Sequence, residues 1–226
     1  MQQARAGQSS AIMILLALLL LFPGVGSLRG HGMQSQANEA VDYDASYLIA
    51  ITGTTGLFAF AGHRHAVVAS SWSADLKVNP DDPSHARAVF TLPTNKLVID
   101  SPAARQKAGM GKGPSDSEVR TIQQRMLSSE VLDAARYPQI KFTATSIKAQ
   151  GSEVLEVSGK MQIHGRVHPA EVQVKHRSEG KQTTFDGEFN IRQTDYGIKP
   201  ESVAGGTVKV KDTITIKFHI VTRAAR

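Results

Sequence analysis

The chain contains no cysteine. Disulfides, thiolate metal sites and a cysteine nucleophile are therefore excluded, and the fold must rest on its core. Aromatic residues are scarce, 6% of the chain with a single tryptophan. No basic helix and no row of stacking rings is visible, so no nucleic-acid partner is expected. The net charge of +6 reads instead as solubility, with transient attraction to anionic membrane surfaces. Neither H-E-x-x-H nor G-x-S-x-G occurs, and no spacing of acids and histidines marks an acid–base pair. No catalytic residue is assigned, and the chain is not read as an enzyme. Gly109-Met110-Gly111-Lys112-Gly113 fails as a phosphate loop, because no Ser or Thr follows Lys112.

Only one long apolar run is present, and it stands at the start. Ala11 to Phe22 is unbroken, preceded by a polar stretch carrying Arg5 and followed by Pro23-Gly24 and the small residues Val25-Gly26-Ser27. That order is a secretory signal over residues 1–27. The run is short for a bilayer span, which needs about 20 residues; an uncleaved anchor is the alternative. Cleavage would place the protein in the periplasm or outside the cell, and would leave 199 of the 226 residues. That suits one domain. Residues 28–42 are polar and read as a flexible leader, and residues 43–223 as the domain.

From Tyr43 onward the hydrophobic pattern has period two, the mark of strands with one buried face. Trp72, Ala74, Leu76 and Val78 face one way, as do Ala86, Ala88, Phe90 and Leu92. The turn Asn79-Pro80-Asp81-Asp82-Pro83 between them predicts a hairpin. Later inward sets are Ile140, Phe142 and Ala144; Leu155 to Ile163; Val172 and Val174; Phe185 to Ile191; and Ile214 to Ile220. Turns fall at Gln150-Gly151-Ser152, Gly165, Glu179-Gly180 and Ala204-Gly205-Gly206. A helical insertion near 101–137 interrupts the strands. Asp100 to Pro114 reads as a mobile loop, Ser115 to Glu118 as a capping box, and Val119, Ile122, Met126 and Leu127 as a helix face. A second helical piece is expected around Glu130–Ala135.

This pattern predicts an all-β fold, either a sandwich or an antiparallel lipocalin-like β-barrel of about eight strands. A barrel of that size can hold one small ligand. Small inward residues (Ala74, Ala88, Ala144, Gly159, Gly187) leave room for a tunnel, or else interdigitate with large ones in a solid core.

Several segments, in order, resemble the YceI-like family of exported lipocalin-like barrels associated with polyisoprenoids and isoprenoid quinones. They run from Gly62-His63-Arg64-His65 and Trp72-Ser73-Ala74-Asp75-Leu76 through Tyr137-Pro138-Gln139-Ile140-Lys141-Phe142 to Val157–Gly165. Ile191–Ile198 and Val210-Lys211-Asp212-Thr213-Ile214 complete the set. The likeness covers about Tyr47 to Ile220. Gln193-Thr194 adds a residue to the family pattern, and Arg166-Val167-His168 replaces its usual Thr, so the mouth of the barrel is expected to differ. The resemblance implies a hydrophobic small-molecule partner, a bound polyisoprenoid or isoprenoid quinone, and no other cofactor. It also places the His63 segment near a polar headgroup.

The ligand-binding candidates are His63, His65, Trp72, Phe90, Phe142, Met161, Phe185, Phe189, Tyr196, Ile216 and Phe218. His63 and His65 would share one side of a strand, but a metal site needs a third ligand, and none is assigned. Arg192 and Asp195 are expected to pair as a loop latch. Tyr137 and Tyr196 are expected at the mouth with wet hydroxyls. A non-liganded structural or stress protein and a His-dependent metal protein stand as alternatives. Pairing of two barrels through exposed edges, a homodimer, stays open.

Overall fold

The computed structural model describes residues 40–56, 63–203, 205 and 207–223. The expected signal, residues 28–39 of the leader, Gly62 of the histidine segment, and Ala204 and Gly206 of one turn lie outside the described residues.

The period-two runs become strands. The first part of the chain holds β1 (Ala40–Val41), β2 (Tyr47–Ile51), β3 (Thr54–Thr55), β4 (Ala66–Ala69), β5 (Ser73–Lys77), β6 (Arg87–Pro93) and β7 (Leu97–Ile99). Two helices follow, α1 (Pro102–Lys107) and α2 (Asp116–Leu127). The long strands are β8 (Gln139–Ala149), β9 (Val154–Ile163), β10 (Arg166–Glu179) and β11 (Gln182–Arg192). Short β12 (Ser202–Val203) and β13 (Val208–Val210) precede β14 (Thr213–Arg223).

One antiparallel sheet dominates, in the order β5-β6-β8-β9-β10-β11-β14-β2-β4-β7, with β1 also on β14. It curls into a lipocalin-like half-barrel. Among the described residues no ladder joins its end strands, β5 and β7. The sheet has 11 strands, not about eight. The excess is β1, β4 and β7, which have two to four residues each and are too short to show a period. β1 lies inside the expected leader, yet Ala40 and Val41 pair with Arg223 and Thr222. Asp42 adds an ion pair to Arg223 at 2.7 Å. A separate small sheet runs β12-β13-β3.

The expected β5–β6 hairpin forms, with Ala74 opposite Phe90 and Leu76 opposite Ala88. Two residues, His164 and Gly165, join β9 to β10, both at positive φ (49° and 72°). That is the backbone a two-residue hairpin needs to match strand twist. A bulge in β8 shifts register between Ala144 and Ser146. It changes the phase of the alternation, so that Ile147 joins Phe142 on the inner face.

The helical insertion departs from expectation at two points. Pro102–Lys107 is a helix and not a loop, because Ser101 accepts a hydrogen bond from Ala104 N and Pro102 opens the first turn. Glu130–Ala135 is not helical. Ser128 ends α2 in extended backbone, Asp133 sits at φ 43°, and a run of turns carries the chain to Pro138. The Ser115–Glu118 capping box forms as read. Val119, Ile122 and Met126 of α2 pack on Leu97 and Ile99 of β7. Gln123 pins the same contact: its Oε1 accepts Ile99 N at 2.9 Å, and its Nε2 donates to Leu97 O at 2.8 Å. The outer face of β2 and β4 is covered by α1, through Ala104 against Ile49 and Ala66.

Candidate functional site: an apolar cavity

The inward faces do not fill the space they enclose. A cavity of about 970 Å³ remains, walled by β2, β4 to β11, β14 and α2. Phe90, Phe142, Met161, Phe185, Phe189, Ile216 and Phe218 all stand on its wall, as do His63, His65 and Tyr196. Trp72 does not. It lies just before β5, its ring 4.7 Å from Tyr43 and 6.0 Å from Phe90, behind the lining. Its place in the alternation suggested the wall, but Tyr43 from the N-terminal segment holds it aside.

The two inward glycines do not create the room. A Cβ on Gly159 would come 2.5 Å from Phe142 Cζ, and one on Gly187 would come 2.5 Å from Phe218 Cζ. Each glycine seats a neighbouring phenylalanine. The space comes instead from the curl of the sheet, with Ala88 among the small wall residues.

Sequence reasoning also missed part of the wall. Thr121, Ile122, Arg125 and Met126 of α2 line the cavity, together with Val131 and Leu132. The i, i+4 spacing of Ile122 and Met126 was the signal, legible as a buried helix face but not as a cavity wall.

Polarity is confined to one end. Thr52, Thr54, His63, His65, Gln193, Ser202 and Lys209 all lie where β2 and β11 finish and β4 and β14 begin. Arg125 of α2 pairs there with Glu130, and with Glu201 at 3.3 Å, tying the helix to the segment before β12. Arg192 is latched, but to Asp212 and not Asp195: Nε donates to Oδ2 at 3.0 Å. Asp212 also accepts Thr194 N at 2.9 Å and Thr194 Oγ1 at 2.8 Å. The register of β11 on β14, Arg192 opposite Thr213, brings the Asp212 loop within reach. Tyr196 is not a wet mouth residue. It is 2% exposed, and burial, with Asp195 beside it, pushes its phenol up to about 12. Tyr137 packs its ring 4.3 Å from that of His164.

His63 and His65 precede β4 and so do not share a strand. Their rings are 6.4 Å apart. Among the described residues no three His, Cys, Asp or Glu side chains gather to hold a metal ion. His65 is engaged elsewhere: Nδ1 lies 2.6 Å from Asp100 Oδ2. Asp100 Oδ1 accepts Ala66 N at 3.0 Å and Arg105 Nη1 at 2.8 Å. This cluster joins the cavity's polar end to α1.

Known proteins share this architecture. BcnA of Burkholderia cenocepacia superposes with a TM-score of 0.62 at 21% identity, covering 80% of this chain and 99% of that one. A polyisoprenoid-binding domain from Saccharophagus degradans superposes at 0.53 and 14% identity, covering 84% and 99%. At such identities the likeness is one of fold. In sequence, Protein YceI of Escherichia coli is 32% identical over 80 residues, 33% of this chain and 41% of that protein. A UPF0312 protein of Pseudomonas savastanoi is 32% identical over 78 residues, 32% of this chain and 41% of that protein. The chain thus spans about two-fifths of the length of these curated relatives. The model of the YceI-like domain matches residues 40–222, so the chain belongs to the YceI-like family.

Proposed function

We propose that this is an exported binding protein that holds the tail of an isoprenoid lipid or quinone in its apolar cavity, without catalysing a reaction. One observation carries this reading: the cavity of about 970 Å³ is walled by strand faces that are apolar along their length, with polar groups only at one end. Such a space suits a long hydrophobe with a small polar head. At roughly 25 cal/mol per Å² of buried apolar surface, a tail of several isoprene units supplies ample driving force. The polyisoprenoid-binding domain of Saccharophagus degradans, alike in fold, favours the same ligand class. Export to the periplasm or beyond rests on the signal pattern of residues 1–27.

The test is organic extraction of the purified protein followed by mass spectrometry, with titration of a delipidated sample by an isoprenoid quinone. The expected result is a co-purifying isoprenoid and saturable one-to-one binding. A clean extract with no saturable binding overturns the reading.

A further inference from the structure

Asp100 follows β7 at φ 51°, and its side chain is sealed from solvent. Burial pushes its carboxyl up, but hydrogen bonds from His65, Ala66 and Arg105 outweigh that and hold it below the usual carboxylate range. An ionised carboxylate only accepts hydrogen bonds. The proton in the 2.6 Å contact therefore belongs to His65 Nδ1. In a neutral imidazole the other nitrogen is then an acceptor. The guanidinium of Arg105 already balances the carboxylate.

Nε2 of His65 has no protein partner among the described residues, and no buried side-chain nitrogen or oxygen there lacks one. Nε2 is consequently open to solvent or ligand. The ring is on the cavity wall at the polar end, with its side chain 13% exposed. Of the cations on the wall, Arg125 is held by Glu130 and Glu201, and Lys209 stands on β13.

We propose that His65 Nε2 is a specificity-determining acceptor that selects hydrophobes ending in a hydroxyl, such as an isoprenol or a hydroquinone, over those ending in an ether or carbonyl. This rests on the reading that the cavity takes an isoprenoid tail. Asp100 and Arg105 act as positioning residues, fixing the tautomer and not touching the ligand. His63, exposed and 6.4 Å away ring to ring, carries no such constraint.

Calorimetric titration at about pH 8, above the ordinary imidazole range, with geranylgeraniol and with its methyl ether isolates the effect. The two share a tail and differ in the donor. The alcohol is expected to bind about tenfold more tightly, the scale of one hydrogen bond in an apolar site. His65→Phe should bring the ratio of the two affinities to about one. Should that variant not fold, nitrogen-15 imidazole spectra of the unaltered protein serve instead. They should show a protonated Nδ1 and a bare Nε2 that shifts with the alcohol and not with the ether. Equal affinities, or a protonated Nε2 in the free protein, overturn the proposal and leave the tail-holding reading intact. Failure of both ligands to bind overturns that reading and the proposal with it.

Discussion

Gly159 and Phe142 occupy one space on adjacent strands: the ring covers the glycine so closely that a methyl group there would sit 2.5 Å from Cζ. Gly159→Ala must therefore displace Phe142, into either the cavity or the Ala144 side of β8. The expected cost is about 1–3 kcal/mol, typical of overpacking. Denaturant unfolding measures it. The double variant with Phe142→Leu should recover part of the loss, because the smaller side chain gives way.

Ala88 offers the opposite case. It is 6% exposed and stands on the cavity wall. Ala88→Phe should place a ring in the cavity. We expect uptake of a long isoprenoid to weaken by about tenfold or more while unfolding stability changes by less than about 1.5 kcal/mol. A loss of stability with unchanged uptake would mean that the wall is packed there.

The buried Asp100 gives stability a dependence on acid. Its folded carboxyl titrates below the ordinary value of 3.8, so it binds fewer protons than in the unfolded chain near that pH. Its contribution is present above the unfolded value and lost as pH falls through the folded one. Asp100→Asn keeps a residue that tolerates positive φ, and removes the charge together with one of the two acceptor oxygens that His65, Ala66 and Arg105 share. Removing one member of a buried charge cluster costs about 3–5 kcal/mol. The deficit, read from melting curves, should be largest near neutrality and shrink below about pH 4.

Tyr196 acts at the alkaline end. Its phenol is raised to about 12 from 10.0, so the folded state keeps a proton that the unfolded state releases first. That contribution is complete below 10 and lost as pH rises toward 12. Tyr196→Phe should match the unaltered protein within about 1 kcal/mol at neutral pH. Above pH 10 the variant should lose less stability as pH climbs, and chemical denaturation at several pH values checks this.

The inward faces were legible residue by residue. Leu155, Val157, Met161 and Ile163 alternate without a break, and period two admits one burial pattern once a face is chosen. Ile147 was not legible, since a bulge changes the phase and no local residue announces it. Trp72 kept the phase but left the wall, because Tyr43, 29 positions earlier, holds it. The His65–Asp100 contact spans 35 positions and depends on the pairing of β4 with β7. Alternation within one strand carries no information about which strand lies beside it. Whether the interior was filled or hollow likewise depended on the curl of the sheet, which no single strand encodes.

Gln123 bears on how copies of this chain behave toward one another. By bonding both Ile99 N and Leu97 O, it occupies outward groups of β7 that another strand would use. The far edge, β5, is short and carries Asp75 and Lys77, charges that discourage strand addition. Self-association by sheet extension is disfavoured at both margins, for a different reason at each. Loosening α2 would uncover β7, and the first sign of that loosening should be aggregation rather than unfolding.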